Sequence, residues 1–284
     1  MALKDYNKAF RYGKKEYESR LLAGRKPTLE SLDEILPDEA LSTESLGLVQ
    51  IPIDQIVGTR YSGRSSAFAS NFMPILESNT EFAIKWAKLS TSHEKEGIHE
   101  PIKAWEYMNK FYVEEGNKRV SVLKYFDAVS VPGYVTRILP QRTEQKENKI
   151  YYEYVDFYAL SQINYIWFSR LGSFVRLQKA VGKGAKDIWS DDDKLTFSSV
   201  YSRFAAEYES LGGKKLSITT GDAFLAFLMI YDYKDICQKT VNELKELVGK
   251  SWEEFKLLEH DQEIELKMNP TSEKKSLLDR LLPV

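Results

Sequence analysis

Phe111-Tyr112-Val113-Glu114-Glu115-Gly116-Asn117-Lys118-Arg119-Val120-Ser121-Val122-Leu123 is the stretch that decides the fold. Its apolar, aromatic start reads as a strand, Gly116 is a break, and Val120 and Leu123 open a helical apolar stripe. A strand that turns through glycine into a helix aims several backbone N–H groups at one place. Those groups and the positive end of the helix dipole favour an anion there. Gly116 and Asn117 form the turn, and Lys118 and Arg119 add two cationic side chains. The segment therefore has the chemistry to hold a phosphate, with Glu115 beside it as a candidate base or metal ligand.

The flanking sequence sets this segment in an α+β frame. Pro101 to Glu106 and Lys110 to Val113 read as two strands joined by a Tyr107-Met108-Asn109 turn, which is a hairpin. Ser78-Asn79-Thr80-Glu81 has the spacing of a capping box. Phe82, Trp86 and Leu89 follow at helical spacing, which predicts a helix to about His93, stopped by Gly97. Leu48 to Ile53 reads as a strand whose proline marks an edge or an end. Gly58 to Asn79 reads as a functional loop, and its Arg60 and Arg64 carry the forks that suit phosphate oxygens. The helix from Asn117 is expected to end before Asp127, and Val129 to Ile138 supplies one more strand.

Three parts are expected along the chain. Residues 1–45 read as a helical extension, with Tyr6, Phe10 and Tyr17 on one face and a short amphipathic helix over Leu29 to Leu36, ended by Pro37. Residues 46–140 form the α+β domain, with a mixed sheet. Gln141 to Lys149 is polar enough for a linker, and residues 150–284 carry the pattern of an all-helical domain. There Ile163, Ile166, Trp167 and Leu171 fall on one helical stripe, and Ala223 to Tyr231 reads as a core helix with Asp222 as its N-cap. Ser190 to Asp193 and Thr240 to Glu243 fit helix starts. Leu277, Leu278, Leu281 and Leu282 form an apolar edge suited to docking or to a second subunit.

Composition narrows the class. With 43% hydrophobic and 29% charged residues, the chain has the make-up of a globular protein, and its 17 Tyr and 14 Phe predict an aromatic core. A net charge of -2 does not predict nonspecific nucleic-acid binding. The single cysteine, Cys237, excludes a disulfide framework and a cysteine-based zinc cluster, and reads as an inert thiol. Met1 to Gly13 lacks the apolar stretch of a secretory signal, and no run reaches the roughly 18 apolar residues of a membrane span. A cytoplasmic protein without membrane contact is expected. His93, Glu94, Glu96 and His99 straddle Gly97 and so do not share a helical face; no metal site is expected.

Residues 48–139 resemble the ParB/sulfiredoxin superfamily through three blocks in order. Leu48 to Ile56 is similar to the opening strand of ParB domains. Leu89 to Ser92, Glu96-Gly97-Ile98 and Glu100-Pro101-Ile102 resemble the helix, glycine and Pro-Ile strand that follow. Glu115 to Leu123 looks like the phosphate-contacting box. Phe72-Met73-Pro74, Glu115 to Tyr125 and Thr220 to Phe224 also resemble motifs of a bacterial ParB-like group with a helical C-terminal domain.

The resemblance implies alternatives. Sulfiredoxins place a reactive cysteine directly after the box glycine; Asn117 stands here, so their thiol chemistry is absent. Partition-type ParB proteins hold cytidine triphosphate with a box arginine, which Arg119 matches, and use it to clamp DNA. The resemblance thus implies a nucleotide-binding regulator that acts on DNA, taking CTP or ATP, with Mg2+ as a possible companion. Arg60, Arg64, Gly116, Asn117, Lys118 and Arg119 would hold the nucleotide. The rival is a phosphotransferase or nucleotide hydrolase of the ParB-like kinase type, with Glu115 catalytic, although the histidines of that branch's box are missing. A protein-interaction module without turnover is the third alternative. A homodimer through the helical part or the C-terminal tail completes the expectations.

Overall fold

The computed structural model describes residues 2–36 and 41–267. The chain divides into two compact units, Met1–Gln141 and Arg142–Val284. The first contains α1 (Ala2–Leu22), β1 (Glu30–Ser31), β2 (Ser42–Pro52), β3 (Ile56–Thr59), α2 (Glu81–Glu96), β4 (Ile102–Tyr107), β5 (Lys110–Glu115), α3 (Asn117–Tyr125) and β6 (Ser130–Leu139). Its six strands form one mixed sheet in the order β1-β3-β5-β4-β6-β2. β1 and β3 are parallel, as are β3 and β5; β4 is antiparallel to β5 and parallel to β6, and β2 is antiparallel to β6. The fold is α+β.

α3 lies between the sheet and a second helical layer. Val120 and Leu123 join the main core with Ile102, Phe111, Val113 and Val135 of the strands. Val122 instead joins Tyr6 of α1 with Ala83 and Trp86 of α2. Each such side chain contributes about 1.5–3 kcal/mol on burial, so three positions of one short helix fasten both layers. Two polar contacts fix the stack. The Trp86 indole donates to Ser121 Oγ at 2.8 Å, and the Tyr6 hydroxyl donates to the Leu76 carbonyl at 2.6 Å.

The hairpin between β4 and β5 turns through Met108 and Asn109, both with positive φ of 53° and 60°, as a two-residue turn of matching twist requires. Glu106 accepts from the Asn109 backbone N–H at 2.6 Å. The same carboxylate pairs with Arg137, which stands opposite it on β6, and both side chains are buried. Arg137 also reaches Glu44 across β2 at 3.1 Å. A row of charge thus runs across three strands, Glu44–Arg137–Glu106, and fixes their register.

Several expectations need correction. Residues 1–45 are not an appended extension within this unit: α1 contributes buried Tyr6 and Ala9 to its core, and β1 and β2 belong to its sheet. Leu29 to Leu36 is not an amphipathic helix. Glu30 and Ser31 pair with Gly58 and Thr59, and a single 3-10 turn follows at Leu32–Glu34. Ladder bonds along a sheet edge outweigh the weak helical preference of so short a segment. β3 lies partly inside the span expected as loop. The N-cap of α2 is Thr80, whose hydroxyl accepts from the Ala83 N–H at 3.2 Å, not Ser78. Gly97 caps the other end at φ 80°. Pro37 and the leucines from Leu277 to Leu282 lie outside the described residues.

The second unit is all-helical: α4 (Lys146–Ser161), α5 (Ser173–Ala180), α6 (Asp191–Ser210), α7 (Thr220–Ile230), α8 (Tyr233–Cys237), α9 (Val241–Lys250) and α10 (Trp252–Lys267). Its core is aromatic, as composition predicts. Phe204 packs 5.1 Å from both Phe224 and Phe227 and 5.9 Å from Phe255. Ser190 with Asp193 and Thr240 with Glu243 form reciprocal capping boxes. The N-cap of α7 is Thr219, with Asp222 as its reciprocal partner rather than the cap. The stripe from Ile163 to Leu171 is not a helix, because Gln162 takes a left-handed conformation at φ 55° and ends α4. No helix among the described residues is long and apolar enough to cross a membrane.

The Glu44–Arg137–Glu106 row yields a stability test. Glu106→Leu removes the buried carboxylate of the row and leaves Arg137 with the more exposed Glu44; it should cost about 3–5 kcal/mol, whereas Glu106→Leu with Arg137→Met should cost much less. Thermal denaturation of the three proteins checks this; equal losses for the single and double variants would contradict it.

Candidate functional site

β3 and β5 run parallel, and Thr59, the last residue of β3, is in register with Val113, two residues before the end of β5. Arg60 follows the first strand, and Gly116 and α3 follow the second. Thr59 donates its hydroxyl to the Val113 carbonyl at 3.0 Å and accepts from the Asn117 side-chain amide at 3.4 Å. Asn117 is only 8% exposed, and its Oδ1 has no hydrogen-bond partner. The carboxyl edge of two parallel strands and the start of a helix meet at this polar cluster. In open sheets containing parallel strands, such an edge is where ligands bind.

Gly116 makes the turn possible. Its φ of 112° lies in the left-handed region, and a Cβ there would stand 2.6 Å from Cγ2 of buried Ile102. It is the N-cap residue of α3, and no side chain caps that end. The first-turn N–H groups of a helix have no intrahelical acceptor, so the terminus is left with unmet donors and a partial positive charge.

The cationic side chains leave this point in different directions. Lys118 places its ammonium 4.9 Å from the centre of the Phe82 ring. Burial, and then the nearby Lys85, hold its pKa below the usual lysine value, while Glu81 acts the other way. Glu81 itself is bound to Lys85 at 2.6 Å. Arg119 directs Nη1 to the carbonyls of Glu100 (3.0 Å) and Pro101 (2.6 Å) and lies 3.5 Å from the Glu100 carboxylate. It thereby ties the segment before β4 to α3.

Arg60 and Arg64 sit at the end of β3. Arg64 donates to the Glu114 carbonyl at 2.8 Å. Successive strand side chains leave on opposite faces: Thr59 meets Asn117, whereas the Arg60 guanidinium lies 5.1 Å from the ring centres of both Tyr61 and Trp105. Its Nε and Nη1 are buried without hydrogen-bond partners. Glu115 is exposed and pairs with Lys103 at 3.1 Å.

The chain matches no model of a known protein family and no curated protein.

Of the residues expected at the site, Gly116, Asn117 and Lys118 therefore gather at the start of α3. Arg119 and Arg64 are bonded to backbone carbonyls nearby, and Arg60 occupies the opposite face of the sheet edge. Among the described residues no group of three or more His, Cys, Asp or Glu is placed to hold a metal. Sequence reasoning missed Thr59, the buried hydroxyl that bridges the two strands to Asn117. Gly58 before it is required where β1 approaches, since a Cβ there would stand 2.3 Å from the Glu30 carbonyl oxygen. Lys85 was also missed, although it follows Glu81 by one helical turn.

Gly116→Ala meets both left-handed strain and the Ile102 side chain. The variant should lose about 2 kcal/mol or more of stability, read as a lower melting temperature. Unchanged stability would mean that the turn is not constrained as described.

Proposed function

We propose that this protein is a nucleotide-binding regulator of the ParB-like kind, with the phosphates of a nucleoside triphosphate held at the N-terminus of α3. The observation that carries the reading is the uncapped start of α3 beside Lys118, a cation with a depressed pKa and a second lysine close by. An anion at that point satisfies the helix donors and relieves the repulsion between Lys118 and Lys85. Asn117, Thr59 and the glycine turn give the phosphate a rigid floor.

Magnitudes set how much each group can supply. A helix terminus favours an anion by about 0.3–1 kcal/mol, and by up to about 2 when partly buried. Micromolar binding needs about 8 kcal/mol. The helix end therefore positions the ligand, and charge-assisted contacts from Lys118 and Lys85, together with contacts to the base and sugar, provide most of the affinity. Glu115 favours binding over turnover in this reading. It is exposed and paired with Lys103, without the enclosed surroundings that tune a catalytic carboxylate. Nucleotide occupancy would then switch the protein between states that differ in their retention of DNA.

Thermal denaturation with CTP, ATP, GTP and UTP, each with and without Mg2+, tests the proposal. A ligand selective for the folded state raises the melting temperature, and above its dissociation constant the rise grows with the logarithm of its concentration. One nucleotide should raise it for the wild type and for Glu115→Gln, and Lys118→Ala should abolish most of the rise. No shift with any nucleotide would overturn the reading, and nucleotide hydrolysis lost on Glu115→Gln would favour the enzymatic alternative.

A further inference from the structure

The helical unit contains a buried charge that has no counter-charge among the described residues. Arg170 is 6% exposed, and its Nε, Nη1 and Nη2 are all buried without a hydrogen-bond partner. Buried guanidinium groups are ordinarily paired, because taking an isolated charge out of water costs far more than a fold can spare. Two acids hold the residues on either side of Arg170, Ser169 and Gly172, and both are engaged there. Asp222, 1% exposed, accepts from the backbone N–H and hydroxyl of Ser169 and from those of Thr219. Glu153 accepts from the Gly172 N–H at 2.9 and 2.8 Å, and Arg176 is the cation that acts on it.

The residues next to Arg170 add unmet donors. Gly172 is the N-cap of α5 at φ 76°; its own N–H is taken by Glu153, and it has no side chain to cap the N–H groups that follow. Ser173, the first residue of that helix, is fully buried, and its hydroxyl has no partner. A guanidinium, a hydroxyl and an uncapped helix start within four residues are the groups that recognise an oxyanion.

We propose that Arg170 anchors an anion site in the helical unit, taking a small oxyanion of the phosphate or carboxylate class. The guanidinium supplies paired N–H donors, and Ser173 and the start of α5 complete the shell. Because its nitrogens are closed off from solvent, the anion is taken up as the unit folds or opens locally, and acts as a structural counter-ion. This site is independent of the nucleotide site at α3.

The test is equilibrium denaturation of the full chain, refolded at constant ionic strength in chloride, in millimolar inorganic phosphate, or in millimolar acetate. Above its dissociation constant, each tenfold rise in the bound anion should multiply the folded-to-unfolded ratio about tenfold. The rise identifies which anion is taken. Arg170→Met should equal or exceed the wild type in chloride and should lose the anion response. Arg170→Lys, which keeps the charge but not the fork, should respond weakly. Lys118→Ala should respond like the wild type. A wild type indifferent to both anions overturns the proposal. So does a response that survives in Arg170→Met, one that disappears in Lys118→Ala, or an Arg170→Met protein less stable than the wild type in chloride.

Discussion

The turn at Gly116 is the constraint on which the first unit depends. Only a residue without a Cβ can leave β5 at φ 112° and pass so close to Ile102. That turn starts α3 at the end of β5 and lays it along the sheet. Val120 and Leu123 then reach the sheet core, Val122 reaches the layer of α1 and α2, and Arg119 reaches the carbonyls of Glu100 and Pro101. The same turn leaves the first N–H groups of α3 without a cap. Packing and the unmet donors at the helix start have one origin.

Electrostatics at this point are less concentrated than the run of basic residues implies. Arg119 stabilises backbone, Arg64 does the same at the end of β5, and Arg60 stacks with aromatic rings on the other face. What remains at the helix start is a backbone dipole, one desolvated lysine and a buried amide. In the proposed reading, this arrangement meets a ligand that brings its own multiple charge, while Glu115 stays exposed beside Lys103.

Much of this architecture was legible in the chain. The hairpin through Met108 and Asn109, the helix from Asn117 and the stop at Gly97 each follow from local chemistry. The aromatic core of the second unit follows from composition. At the sheet edge the errors share a cause: tertiary pairing decided segments too short to decide themselves. β1 has two residues and β3 has four, so neither carries a period that could be read. The stripe at Ile163, Ile166, Trp167 and Leu171 has helical spacing, yet its chain runs as a loop against the start of α7, where Ser169 meets Asp222. The direction of a side chain cannot be read from its position alone. Lys118 and Arg119 are adjacent, yet one meets Phe82 and the other the carbonyls before β4.

The α3 terminus is the central claim, and its backbone amides are direct reporters. Amide-resolved NMR of the full chain, titrated with the nucleotide that raises its melting temperature, should move the resonances of Asn117, Lys118 and Arg119 first and furthest. Saturable shifts confined to other residues, with those three amides unmoved, would contradict the placement of phosphate at this helix.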